Sequence, residues 1–247
     1  MTCLQHGRQQ RRNHQLRLTT KDAGAGCVGS STSSNPLLVR LYVAYLDNED
    51  AAAFIKAVSQ RYTTATLQRL SERGQRLTRR AAVMAIGFVA GYEANATLGR
   101  GMHDNDRGVR LLAENGIRQL WCRDGSDVQR QTLQIIVRLN VSEQFDEAIQ
   151  LASQLIDDAP WFAEAWNQRA IAYFHLGRYD DSANDCHQTL ELNPYHFGAA
   201  VGMAHCYLEM HDAVAALECF RRAIKLNPDL EGVRVQIDYL ERSLEES

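Results

Sequence analysis

Pro160, Pro194 and Pro228 stand 34 residues apart, and the residues around them repeat at the same offset. Setting the segments in that register stacks Ile136, Ala170 and Ala204, then Leu139, Tyr173 and Tyr207. Further along it stacks Ala152, Cys186 and Phe220, then Leu155, Thr189 and Ala223. Small and aromatic columns at this fixed period describe helical hairpins stacked one on the next. Such hairpins bury their apolar faces only against their neighbours. The function of a chain built this way is expected in a surface rather than in a reaction.

The remaining totals agree with a helical chain. Only four prolines occur in 247 residues, and proline breaks helix interiors. With 45% hydrophobic residues there is material for a large core or for two modules run together. A net charge of −3 lacks the basic excess that marks a nucleic-acid surface, so no nucleic-acid partner is expected. The six cysteines, Cys3, Cys27, Cys122, Cys186, Cys206 and Cys219, form no C-x-x-C pair. That usage suits a reducing compartment better than a disulfide framework, and a cytoplasmic location is expected. No run of 18 apolar residues is present, and the most apolar stretch, Ala81 to Ala90, follows Arg79 and Arg80 directly, so no membrane association is expected.

Three regions divide the chain. Residues 1–36 carry Arg8, Arg11, Arg12, Arg17 and Lys21 against a single acid, Asp22, and turn Gly- and Ser-rich from Gly24 to Ser34. This composition predicts a disordered basic tail, because too little apolar surface is available to offset ordering entropy. An Arg- and Ser-rich, acid-poor start also fits an organelle transit peptide, the alternative for location. Residues 37–124 form a helical region. Its first segment, Leu37 to Leu46, reads as a short strand or as the first turns of a helix. The acids of Asp47-Asn48-Glu49-Asp50 then offer N-cap oxygens to a helix from about Ala51 to Arg61. A second repeat follows at an offset of 31: Ala65-Thr66-Leu67 with Arg69 recurs as Ala96-Thr97-Leu98 with Arg100, Arg79 matches Arg110, and Ala82 matches Ala113. Polar turns at Ser71 to Arg76 and His103 to Arg107 split each unit into two helices. The segments beginning at Thr78 and Val109 resemble the second helix of HEAT repeats, whose starting arginine commonly contacts an acidic turn residue. Here Asp104 or Asp106 would serve in the second unit, and Glu72 lies near the first. Gly125 then reads as a helix stop, and Ser126 or Asp127 as an N-cap.

Residues 125–247 hold three 34-residue units, 129–162, 163–196 and 197–230, and a capping helix with Val233, Ile237 and Leu240 on one face. The unit from Ala163 to His196 contains A-E-A-W, A-x-x-Y, L-G-R-Y-D-D and L-E-L-N-P, and strongly resembles a tetratricopeptide repeat. Trp166 and Tyr173 lie two helical turns apart on one face, with Ala170 between them for close helix approach. Gly177 supplies a left-handed helix end, and Pro194 stops the second helix. The other units depart at the turn, where Glu143 and His211 replace the glycine. The stretches Ala163 to Ala170 and Asn227 to Arg234 also look like those of compact bacterial tetratricopeptide proteins. The resemblance implies an all-α, right-handed α-solenoid of stacked antiparallel hairpins, HEAT-like and then tetratricopeptide.

The resemblance further implies a concave groove lined by the first helix of each hairpin. Its residues would be Leu133, Val137, Asn140, Asn167, Gln168, Ile171, His175, Val201, His205 and Leu208. That mixture suits a protein or peptide partner, held extended or as a helix. The lysine, asparagine and arginine clamp by which a subgroup of the family grips chaperone C-termini falls here on Leu133, Val137, Gln168, Gly198 and Gly202. Without cations, carboxylate capture is not expected. No G-x-S-x-G, phosphate loop or H-E-x-x-H motif is present, so no catalytic residue, metal or cofactor is expected and the chain reads as a non-enzymatic scaffold. Two other readings stay open at this point: a chromophore-associated role, since HEAT-like modules occur in bilin lyases, and RNA binding through the basic arm.

Overall fold

A computed structural model describes residues 36–245. The basic segment expected at 1–36 therefore lies, Pro36 apart, outside the described residues. Within them the chain forms thirteen α-helices and one short 3-10 turn, with no strand. In chain order these are α1 Leu37–Asn48, α2 Ala51–Ser59, α3 Thr64–Arg73, α4 Arg76–Val89, the turn Tyr92–Ala94, α5 Asn95–Gly101 and α6 Arg107–Trp121. There follow α7 Asp127–Val141, α8 Phe145–Asp158, α9 Ala163–His175, α10 Tyr179–Leu192, α11 Phe197–Glu209, α12 Ala213–Leu226 and α13 Glu231–Glu245.

Local chemistry explains the starts and stops. Leu37 to Leu46, ambiguous in the sequence, is helical and buries Leu38, Val39 and Tyr42. Asp50 caps α2 by accepting from the Ala53 N–H at 2.9 Å. Ser126 opens α7 with a reciprocal box: its hydroxyl accepts from the Gln129 N–H, and its own N–H donates to Gln129 Oε1. The hairpin turn after α9 places Gly177 at φ +72°. The replacements at the equivalent turns keep that left-handed geometry, Glu143 at φ +60° and His211 at φ +62°. The repeat geometry thus overrides residue preference at both sites.

From α7 to α13 each helix packs on the next, and the first helices of neighbouring hairpins also touch, α7 with α9 and α9 with α11. The columns expected in the core are there: Ile136, Ala170, Ala204, Ala152, Cys186 and Phe220 are all buried. Trp166 and Tyr173 are half-buried and flank the Arg169 guanidinium, which lies 5.0 Å from one ring centre and 5.7 Å from the other. Arg169 in turn donates to both Asp185 oxygens on α10, at 2.7 and 2.9 Å, which locks the hairpin.

The two N-terminal units are hairpins α3/α4 and α5/α6, and their repeat equivalents match in burial: Leu67 with Leu98, and Ala82 with Ala113, are fully enclosed. The arginine contacts differ from the expected pattern. Arg79 Nε donates to Asp104 at 2.7 Å, and Arg80 Nε to Asp106 at 2.6 Å, so both arginines of the first unit reach the turn of the second. Arg110 instead donates to the Asp104 carbonyl and to Asp229 of the repeat array. Glu72 takes Arg100. The ladder runs between units rather than within them because α4 packs directly on α6. That packing is close. A Cβ on Gly87 would stand 2.9 Å from the Gly116 Cα, so only glycine admits it.

Helix α6 also crosses the ends of the repeat hairpins. Its last residue, Trp121, stacks on His196 and leans on Phe197, in the connection between the second and third repeats. Near its first turn, Arg110 reaches Asp229 in the next connection, at 2.8 Å. Eleven residues separate those contacts, about 16 Å of helix at 1.5 Å per residue. The N-terminal module is therefore a brace along the row of repeat connections. Asn95 Nδ2 donates to Asn193 Oδ1 at 2.8 Å, Tyr92 donates to the Leu192 carbonyl, and His103 Nε2 to the Lys225 carbonyl.

Candidate functional site

The ten residues expected in the groove divide into two sets. Leu133, Gln168 and Asn140 are only 1%, 5% and 7% exposed. Leu133 joins the apolar cluster of the first hairpin with Ile136, Ala148 and Ala152. Asn140 Nδ2 donates to the Gln168 carbonyl at 2.9 Å and to its Oε1 at 3.1 Å, and Gln168 Nε2 donates to Glu164 at 2.7 Å. Asn140 and Gln168 tie α7 to α9, Leu133 packs inside the first hairpin, and all three are enclosed. The other seven, Val137, Asn167, Ile171, His175, Val201, His205 and Leu208, keep accessible surface. His175 lies flat on Phe145, centroids 4.8 Å apart, and His205 stands edge-on to Phe220 at 5.3 Å. Burial lowers the pKa of His205, against the pull of the nearby Glu209 carboxylate.

Two further residues share these columns. Val235 and Tyr239 of α13 lie 34 residues after Val201 and His205, and each is 67% exposed. Helix α13 buries Val233 and Leu240, as expected of a cap, but carries the repeat register onward as a fourth first-helix. The signal was the period itself, continued past Pro228; sorting α13 into one apolar face and a charged remainder hides it.

Next to Asn167 and Gln168, Glu164 is a buried carboxylate. It accepts from His196 Nε2 at 3.0 Å, Gln168 Nε2 at 2.7 Å and Asn167 Nδ2 at 3.0 Å. His196 Nδ1 accepts from the Ala199 N–H at 2.9 Å, so Nε2 is the nitrogen that donates. Burial pushes the Glu164 pKa up, yet these donors, with His196 foremost, hold it below its ordinary value. The other histidine and cysteine side chains of this stretch are separately engaged: His187 faces Glu191, and Cys206 donates to Ser182. Among the described residues no group of three or more His, Cys, Asp or Glu is placed to hold a metal. Among the same residues, no helix is long and apolar enough to cross a membrane.

Two models of the tetratricopeptide repeat match residues 163–196 and 198–230. A TPR repeat-containing protein of Rhizobium etli is 28% identical over 130 residues, 53% of this chain and 64% of that protein. WD and tetratricopeptide repeats protein 1 of Mus musculus is 38% identical over 80 residues, 31% of this chain and 12% of that protein. The chain thus spans less than two thirds of either relative. Among solved structures, the first TPR of Spaghetti (RPAP3) bound to the HSP90 peptide SRMEEVD has a TM-score of 0.47 at 19% identity, over 49% of this chain and 96% of that one. YrrB, a TPR protein with an unusual peptide-binding site, has a TM-score of 0.41 at 16% identity, over 82% and 97%. The constant 34-residue period, the hairpins that obey it and the two matching repeat models together show that residues 163–196 and 198–230 are tetratricopeptide repeats.

Proposed function

We propose that the protein is a non-enzymatic, cytoplasmic scaffold that binds a polypeptide partner along the first helices α7, α9, α11 and α13. The observation that carries this reading is the pair of ladders at 34-residue spacing: Asn167, Val201 and Val235, and Val137, Ile171, His205 and Tyr239. Each of these seven keeps accessible surface, although they sit on helices whose other faces are packed. Large apolar side chains left open in a regular row mark an interaction surface. The row alternates apolar groups with Asn and His hydrogen-bonding groups, which suits an extended segment or a helix. Thiols at Cys122, Cys186, Cys206 and Cys219, none in a disulfide, fit a reducing compartment. The test is affinity purification with the full chain and with Asn167→Ala/Ile171→Ala. Recovery of a partner by the wild type and its loss in the variant is the expected result. Equal recovery with both would remove the groove assignment.

A further inference from the structure

We propose that the segment held in this groove is basic, a Lys- or Arg-rich polypeptide with apolar residues on one side. The inference rests on the groove reading above and adds the sign of the ligand's charge. Charge is divided sharply along this chain. Residues 125–247 contain 20 Asp and Glu against nine Arg and Lys, whereas residues 37–124 contain nine acids against 13 bases. The near-neutral total hides an acidic repeat array with a basic brace.

The position of the brace decides which acids remain available. It covers the edge where one hairpin connects to the next, and there Arg110 is spent on Asp229. The opposite edge is formed by the turns inside the hairpins, residues 141–147, 175–181 and 209–215. Those turns hold seven carboxylates and one cation, Arg178, which Asp181 already occupies at 2.7 Å. Each turn starts in the column of the candidate residue His175, at Val141, His175 and Glu209, 34 residues apart, which sets the carboxylates as a rim beside the apolar ladder. All three of those residues are exposed. The ladder itself contains no Lys or Arg. An acidic peptide entering here meets like charge at the rim and no cation within. A basic segment meets a row of carboxylates that steers it in and fixes its register.

The experiment uses the full chain and two synthetic 20-residue amphipathic peptides, one of Leu and Lys and its twin of Leu and Glu, followed by fluorescence anisotropy. The Lys peptide is expected to bind about tenfold or more tightly than the twin at low salt, and to weaken severalfold as salt shortens the screening length. Neutralising the rim in Asp146→Asn/Asp180→Asn/Glu209→Gln should weaken it about fivefold. The same number of charges removed from Asp157, Glu191 and Glu218, exposed on the second helices, should not. Circular dichroism checks that each variant stays folded. Equal binding of both peptides, preference for the Glu peptide, or a rim variant no different from the control overturns the inference. The two proposals fail differently. If the Glu peptide binds and Ile171→Ala/Tyr239→Ala abolishes that binding, the groove stands and its charge preference falls. If the Lys peptide binds but ignores Ile171→Ala/Tyr239→Ala, the groove itself is the wrong site.

Discussion

The indole of Trp121 lies on the imidazole of His196, centroids 4.1 Å apart and planes 20° from parallel. Through that contact the end of α6 meets the connection between two repeats. His196 itself spans the junction, with one nitrogen on Glu164 and the other accepting the Ala199 N–H. The brace and the repeats therefore share one buried polar cluster, and they should unfold together.

Truncation of the stack tests that coupling. Trp121→Ala removes a buried aromatic and orphans Asn95 Oδ1, which accepts from the indole N–H at 2.8 Å. A loss of about 3–5 kcal/mol is expected in chemical denaturation. The wild type should show one transition, and the variant a separated or broadened one. A loss below about 1 kcal/mol would mean that the brace contributes little to the array.

Acid sensitivity follows from Glu164. Its pKa is held down in the folded state, so its contribution to stability is complete above the ordinary carboxylate range and is lost as pH falls through the folded value. Asp104 and Asp106, paired with Arg79 and Arg80, are also held low against the cost of burial and act in the same direction. Stability should decline on acidification below about pH 4. Glu164→Gln should cost about 1–3 kcal/mol at neutral pH, and the gap from wild type should narrow in acid. Parallel pH curves for the two proteins would contradict this account.

The hairpin turns offer a gain. Glu143 and His211 sit at positive φ, which costs an L-residue about 1–2 kcal/mol relative to its ordinary basin. Glu143→Gly and His211→Gly should each stabilise the chain by up to about 1 kcal/mol, after the greater unfolded-state entropy of glycine is subtracted. Gly177→Ala should destabilise by a similar amount. Thermal melts of the three variants read the signs.

The α4/α6 crossing offers a loss where helix propensity predicts a gain. Alanine favours a helix over glycine by about 1 kcal/mol. At Gly87 the new methyl carbon would stand 2.9 Å from the Gly116 backbone, which has no side chain to move aside. Overpacking costs about 1–3 kcal/mol, so Gly87→Ala should be destabilising on balance. A stabilised variant would show that the two helices separate freely.

The repeats were legible because their requirements are local and periodic. Pro194, Gly177 and Ala170 each have a role fixed by geometry within one hairpin, and the hairpins fall where the prolines place them. The candidate site was legible only in part. Its columns follow from the period, but Asn140 and Gln168 are enclosed by a hydrogen-bond relay between α7 and α9 that no spacing announces, and Leu133 by the apolar cluster of the first hairpin. Val235 and Tyr239 were readable in principle, since they continue the same register onto α13. The docking of α6 on the repeat connections was not readable. It depends on Trp121 meeting His196 and Asn95 meeting Asn193, 75 and 98 residues apart, with no pattern linking them. The arginine ladder was half legible: Asp104 and Asp106 were the right acceptors, but the donors come from the preceding unit.

The central claim is that a partner lies along α7, α9, α11 and α13. Amide hydrogen–deuterium exchange of the full chain, with and without a partner recovered by affinity purification, tests it directly. Protection concentrated on those four helices, with α8, α10 and α12 unchanged beyond their first turns, is the predicted result. Protection on the second helices or on the N-terminal brace instead would place the partner elsewhere.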